Sequence, residues 1–139
     1  MAVLLTGGAG YIGSHCAVSL ADSGFDIVVL DNLSNSSFVS IQRVKELTGK
    51  NIVFIKGDVS DSVLLKEIFT NYDIDSVIHL AGLKSVFESK ALPLNYYSNN
   101  VSASIELLKV MNEFKIRKFI FSSSATVYGD NLVVPYSES

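Results

Sequence analysis

The ten residues "TGGAGYIGSH" at 6–15 follow directly on the apolar run "AVLL" and set glycines three apart, at Gly7, Gly10 and Gly13. An apolar strand that runs into a glycine-rich turn and then into a helix is a narrow structural prescription. The first glycine permits a tight turn. The second lets the backbone come close to a bound group, and the third lets helix and strand pack closely. The start of the helix then offers unbonded N–H groups and the positive end of its dipole, a setting suited to phosphate oxygens.

The rest of the chain fits that opening. Five short apolar runs recur, at 2–6, 26–31, 51–56, 75–82 and 117–124. They are rich in β-branched and aromatic residues and mostly do not alternate with polar ones, as expected of strands buried on both faces of a parallel sheet. Helix-like stretches separate them. Residues 37–48 place Ile41, Val44 and Leu47 at helical spacing, and residues 61–71 group Leu64, Leu65 and Ile68 behind Asp61. Residues 94–114 are read as one long helix with Tyr97, Val101, Ile105, Leu108 and Met111 on one face. Strand and helix alternate throughout. The expected fold is α/β, a doubly wound parallel sheet of the Rossmann type, five strands in the order 3-2-1-4-5, with residues 1–139 forming one NAD-binding domain.

The cofactor expectation rests on the strand ends, because ligands of such sheets bind outside the carboxyl ends of the strands. Asp31 lies 18 residues after Gly13, at the tip of "IVVLD". A carboxylate there accepts hydrogen bonds from adenosine ribose hydroxyls and repels a 2′-phosphate, which favours NAD over NADP. "GDVSD" sets Asp58 and Val59 at another strand end, where Asp58 either bonds an adenine amino group or serves as a helix-cap or turn acid. "HLAG" sets Leu80, Ala81 and Gly82 at a third, and the small Ala81-Gly82 pair lets chain and cofactor pass closely. His79 reads as a core histidine.

Composition removes several function classes. The net charge is −3, from 11 basic and 14 acidic residues with no basic block, so neither nucleic acid nor an anionic membrane is expected as a partner. Cys16 is the single cysteine, which excludes an internal disulfide and fits a reducing compartment; on the first helix it reads as a small buried hydrophobe. Two isolated histidines and one cysteine make no metal cluster. No signal peptide or membrane span is read, and a soluble cytoplasmic protein is expected.

Together "TGGAGYIGSH", "DNLSNS", "GDVSD", "HLAGLKSV" and "FSSSATVYGD" resemble the N-terminal part of the UDP-glucose 4-epimerase family, of the extended short-chain dehydrogenases. The likeness runs in register across nearly the whole chain. It implies NAD-dependent interconversion of UDP-glucose and UDP-galactose through a 4-keto intermediate, a step of galactose metabolism. It also implies site roles. Tyr11 and Ile12 would lie against the pyrophosphate, and Asp31, Asn32, Asn35 and Ser36 around the adenosine ribose and phosphate. Asp58 and Val59 would hold the adenine. Leu80, Ala81, Gly82 and Lys84 would line the cofactor path, Lys84 near the nicotinamide and substrate. Asn99 and Ser122 would complete the cofactor contacts. Ser124, with Ala125 and Thr126, would face the sugar, and Ser124 would hydrogen-bond its reacting 4-hydroxyl. Leu80 departs from the aromatic residue expected there. The family also implies a homodimer in which the 94–114 helix is one of the two that each subunit contributes.

One departure is larger. The family's acid/base group is the tyrosine of a Tyr-x-x-x-Lys pair, whose lysine and nicotinamide lower the tyrosine's pKa. No such pair occurs within residues 1–139: Tyr96, Tyr97 and Tyr128 have no lysine four residues on, Tyr11 has His15, and the fourth position after Tyr136 lies past Ser139. The family places that motif beyond "VPYSES", so the sequence is expected to be a fragment without the catalytic tyrosine and the sugar-nucleotide domain. Three other readings compete. A nucleotide-sugar 4,6-dehydratase needs the Asp-Glu pair that its members carry just before "VYG", where this chain has Ala125 and Thr126. A non-catalytic dinucleotide-binding module, such as a redox sensor, suits the glycine loop but gives "SSSATVYG" no purpose. A serine hydrolase wants Gly-x-Ser-x-Gly, which Ser122, Ser123 and Ser124 lack.

Overall fold

The fully buried runs become the centre of one parallel sheet. The computed structural model describes residues 1–129 and 135–137; Asp130 of "FSSSATVYGD" and Val134, Glu138 and Ser139 of "VPYSES" lie outside the described residues. The strands are β1 (Ala2–Thr6), β2 (Asp26–Asp31), β3 (Ile52–Lys56), β4 (Ile74–His79) and β5 (Lys118–Phe121), in the order β3-β2-β1-β4-β5. This is the Rossmann-like α/β arrangement and strand order expected. All four pairings are parallel. The order turns back between β1 and β4, and the crevice at that switch point is where such sheets take ligands.

Helices cover both faces. Small residues let α1 (Tyr11–Asp22) sit close, with Gly13, Ala17 and Ala21 buried four apart. Together with Ile41 and Val44 of α2 (Phe38–Thr48) it packs on Leu5, Ile27 and Val29. On the opposite face Leu65, Ile68 and Phe69 of α3 (Ser62–Asn71) and Leu107, Val110 and Met111 of α6 (Ala103–Glu113) pack on Leu4, Val28, Leu30 and Val77. Neighbouring strand residues thus enter opposite cores, which explains why the central runs do not alternate. The starts of α2 and α3 are capped by side chains: Ser37 accepts the Val39 N–H, and Asp61 accepts the N–H groups of Val63 and Leu64. Cys16 packs partly buried against the α1–α2 core, as a small hydrophobe should.

The long helix expected over 94–114 is broken. A short α4 (Val86–Ala91), absent from the sequence reading, leads into α5 (Pro93–Tyr97), then a π-helical turn (Ser98–Ser102), then α6. The π turn is marked by the Ala103 N–H donating five residues back to Ser98. Of the face expected over this stretch, only Met111 meets the sheet. Tyr97, Val101, Ile105 and Leu108 are exposed, and the buried face is Ala103, Leu107, Val110 and Met111. Two apolar stripes share the helix, and only one faces the sheet. Leu47 of α2 is likewise exposed, at 77%.

His79, at the end of β4, is a buried core histidine with both ring nitrogens engaged. Its Nδ1 meets the Thr6 hydroxyl at 2.6 Å and its Nε2 the Ser104 hydroxyl at 2.9 Å, while the ring stacks near Phe119 and Phe121. The Ser104 hydroxyl spends its proton on the Asn100 carbonyl, so the neutral ring donates from Nε2 and accepts from Thr6 at Nδ1. Burial, aided by the Lys84 cation, lowers its pKa to about 4. An unfolded chain takes up this proton near pH 6.5 and the folded one only near 4, so between those values the unfolded state holds more protons. This contribution to stability is therefore full well above pH 6.5 and is lost as the pH falls toward 4. Urea unfolding is expected to show a loss of about 2 kcal/mol between pH 6.5 and 5, and His79→Gln is expected to flatten that slope. A slope equal in both proteins would assign the acid sensitivity to other groups.

Candidate cofactor and nucleotide-sugar cleft

The glycine loop is built against the tip of β4. Gly7 has φ +70°, a left-handed conformation, and a Cβ there would stand 2.7 Å from the Ala81 backbone nitrogen. A Cβ on Gly13 would strike the Gly7 carbonyl and the Gly8 backbone. The third glycine therefore admits α1 to the loop itself rather than directly to the strand, a refinement of its expected role. Gly10 caps α1 without any side-chain bond, and no acid sits in the helix's first turn. The N–H groups of the first turn, at Tyr11, Ile12 and Gly13, have no intrahelical acceptor and stand at the cleft. A cradle closed to side chains, with free donors and no competing carboxylate, fits the pyrophosphate of NAD.

The cleft runs along the carboxyl ends of the strands. Its first compartment, of ≈ 290 Å³, brings the glycine loop together with Asp31, Asn32, Asn35, Asp58 and Val59 on one side. Leu80, Ala81, Gly82, Lys84, Asn99 and Ser122 form the other side. A second compartment of ≈ 470 Å³ continues it, sharing Leu80 to Lys84 and Ser122 and adding Ser124 and Thr126. The structure thus gathers nearly every expected site residue. Two do not line it: Ser36, whose hydroxyl donates to Asp31 Oδ1 at 2.7 Å, and Ala125, exposed in the 3-10 turn Ala125–Tyr128.

The two strand-end acids are more occupied than the sequence suggests. Asp31 is 7% exposed. Its Oδ2 accepts the Ala9 N–H at 2.9 Å, and its Oδ1 accepts the Leu33 N–H and the Ser36 hydroxyl. Oδ2 keeps one lone pair for a further donor. Asp58 is at once a turn acid and a cleft residue. Its Oδ1 accepts from the Ser60 backbone and hydroxyl, and its Oδ2 from Asn32 Nδ2 at 2.8 Å. Burial pushes the Asp58 carboxyl up, but the bonds from Ser60 and Asn32 outweigh it and hold the carboxyl below its ordinary value.

At the far end, Ser124 Oγ accepts from the Thr126 N–H and from the Thr126 hydroxyl at 2.9 Å. Neither bond uses Ser124's own proton, which suits it to donate to a substrate oxygen. The Tyr96 hydroxyl, also at this end, donates to Glu88 Oε2 and accepts the Ser85 N–H. Local desolvation, then the Glu88 carboxylate, pushes its pKa up, so it is poorly suited to accept a proton near neutrality.

Some residues of the site escaped the sequence reading. Asn100, in the π turn, accepts the Leu83 N–H at 2.8 Å and donates to the Leu83 carbonyl at 2.9 Å, holding the segment between Gly82 and Lys84. Ser40 reaches the glycine loop from α2. Among the described residues no group of His, Cys, Asp and Glu could hold a metal ion, and no helix is long and apolar enough to cross a membrane.

Comparison with known proteins adds the following. Residues 4–139 match the family described as GDP-mannose 4,6 dehydratase. The chain is 54% identical over 138 residues to a UDP-glucose 4-epimerase of Neisseria gonorrhoeae, covering 99% of this chain and 41% of that protein. It is 51% identical over 138 residues to the Bacillus subtilis UDP-glucose 4-epimerase, with the same coverage. Among solved structures it superposes with a TM-score of 0.96 at 47% identity on the UDP-glucose 4-epimerase of Bifidobacterium longum in complex with NAD+ and UDP, over 99% of this chain and 41% of that one. The Stenotrophomonas maltophila enzyme, with bound NAD and formylated UDP-arabinopyranose, superposes equally at 43% identity. The chain spans about two fifths of the length of these relatives.

Proposed function

The chain belongs to the family described as GDP-mannose 4,6 dehydratase, and on that premise we propose that it is the NAD-holding part of a UDP-glucose 4-epimerase, acting on UDP-glucose and UDP-galactose in galactose metabolism. The observation that carries this reading is the continuous cleft from the glycine loop to Ser124, lined by the residues such a role requires. NAD, when bound, supplies the hydride acceptor and donor. The chain's own residues do the rest. The α1 N-terminus binds the pyrophosphate, and Asp31 with Asn32 and Asn35 binds the adenosine ribose. Asp58 and Val59 hold the adenine, while Asn99 and Ser122 complete the cofactor contacts. Lys84 faces the nicotinamide and the sugar nucleotide, and Ser124, beside Thr126, hydrogen-bonds the sugar hydroxyl that loses its proton. Tyr11, Tyr72, Tyr96, Tyr97 and Tyr128 have no lysine four residues on, and the Tyr96 hydroxyl is committed to Glu88, so none of these five suits the role of main proton acceptor.

The dehydratase reading draws on the family's description alone. It needs an acid and a base where this chain has Ala125 and Thr126, and neither side chain can do that work. Tyr97, Val101, Ile105 and Leu108, the exposed apolar stripe, favour a homodimer through this helix. The mild acidic charge disfavours nucleic acid and anionic membrane as partners, and the single cysteine suits a cytoplasmic enzyme.

The test supplies NAD and UDP-galactose to a polypeptide that carries residues 1–139 within the length of its relatives, and to the 139-residue chain alone. UDP-glucose is expected from the first and not from the second. A 4-keto-6-deoxy sugar nucleotide would establish the dehydratase. Equal conversion by the short chain would place the proton acceptor within it.

A further inference from the structure

The glycine loop is fastened at a point no cofactor motif names. Ala9, 3% exposed, lies between the first two glycines of the motif. Its N–H donates to Asp31 Oδ2 at 2.9 Å, and its carbonyl accepts the Ser40 hydroxyl at 2.7 Å. That carbonyl belongs to the peptide plane whose N–H, on Gly10, donates to the Gly7 carbonyl at 3.2 Å. The plane leads straight into the start of α1, so its tilt sets where the free N–H groups of Tyr11, Ile12 and Gly13 aim. Ser40 is itself held on the first turn of α2: Ser37 caps that turn, and the Ser40 N–H donates to the Ser37 carbonyl at 3.1 Å. The Ser40 hydroxyl shares its proton between the Ser37 carbonyl at 2.8 Å and the shorter bond to Ala9. Because Asp31 also binds Leu33 and Ser36, the glycine loop, the loop after β2 and the first turn of α2 form one hydrogen-bonded body.

We propose that Ser40 is a positioning residue for the pyrophosphate of the dinucleotide, acting through the Ala9 carbonyl. The inference rests on reading the cleft as a dinucleotide site. Ser40 does not touch the cofactor, and its effect falls on the phosphates because the peptide it fixes opens the phosphate-binding helix. Adenosine, which lacks the phosphates, draws on Asp31 and Asp58 instead.

The test compares Ser40→Ala and Ser40→Thr in the purified chain by titration with NAD, ADP and adenosine, with amide hydrogen exchange at Gly10 measured without ligand. Ser40→Ala is expected to weaken NAD and ADP by about 3- to 10-fold, the size of one neutral hydrogen bond, and to leave adenosine unchanged. Exchange at Gly10 is expected to quicken. Ser40→Thr, which keeps the hydroxyl, is expected to restore both. Unchanged NAD affinity in Ser40→Ala, or equal weakening of NAD and adenosine, would overturn the positioning role. If the unsubstituted chain binds none of the three ligands, the dinucleotide reading fails, and the exchange rate alone still decides whether Ser40 fixes the loop.

Discussion

Gly13→Ala is expected to abolish NAD binding and to cost the fold about 3 kcal/mol. The added Cβ would meet the Gly7 carbonyl oxygen and the Gly8 Cα and carbonyl carbon, all of them backbone atoms. A side chain in that position could turn aside, but these atoms move only if the loop moves. The loop is pinned by Asp31 at the Ala9 N–H, by Ser40 at the Ala9 carbonyl, and by the Gly7 N–H donating to the Leu30 carbonyl at 2.9 Å. α1 must therefore back away, which opens the Ala17 and Ala21 contacts and turns the first-turn N–H groups off the phosphates. Gly10→Ala is the natural control, since its Cβ meets only the Gly7 carbonyl, at 3.3 Å. Urea unfolding and calorimetric NAD titration check both. Near-normal stability and NAD affinity in Gly13→Ala would mean that the loop is far softer than its bonds imply.

What the sequence made legible follows from period and position. β1 and β2 announce themselves because both faces of a central parallel strand are buried, and Asp31 and Asp58 because ligands gather at strand ends. The break in the 94–114 stretch leaves no comparable mark. A π turn keeps helical hydrogen bonding and changes only its reach, and no proline or glycine stands between Pro93 and Glu113 to reveal it. Which face of this stretch meets the sheet is not legible either, because Tyr97, Val101, Ile105 and Leu108 have helical spacing as good as that of Ala103, Leu107 and Val110. Ser40 and Asn100 act on partners 31 and 17 residues away through single polar contacts. Contacts of that kind carry no period, so only the folded arrangement reveals them.

Asp31→Ala is expected to weaken NAD by about 10²-fold, the upper range for losing a charged acceptor. The loss exceeds the direct contact with the ribose, because the buried Ala9 N–H and the part-buried Leu33 N–H and Ser36 hydroxyl all lose their acceptor. On the proposed reading the same carboxylate sets the choice of cofactor. The 2′-phosphate of NADP would bring like charge against Asp31, and no lysine or arginine among the residues lining this compartment other than Lys84, at its opposite end, is there to offset it. Titration of NAD and NADP into the chain and into Asp31→Ala, by calorimetry, tests the reading of the cleft most directly. The account predicts NAD at least about 30-fold tighter than NADP in the unsubstituted chain, and a preference reduced to within about threefold in Asp31→Ala. NADP bound as tightly as NAD by the unsubstituted chain, or a preference that survives the loss of Asp31, would contradict it.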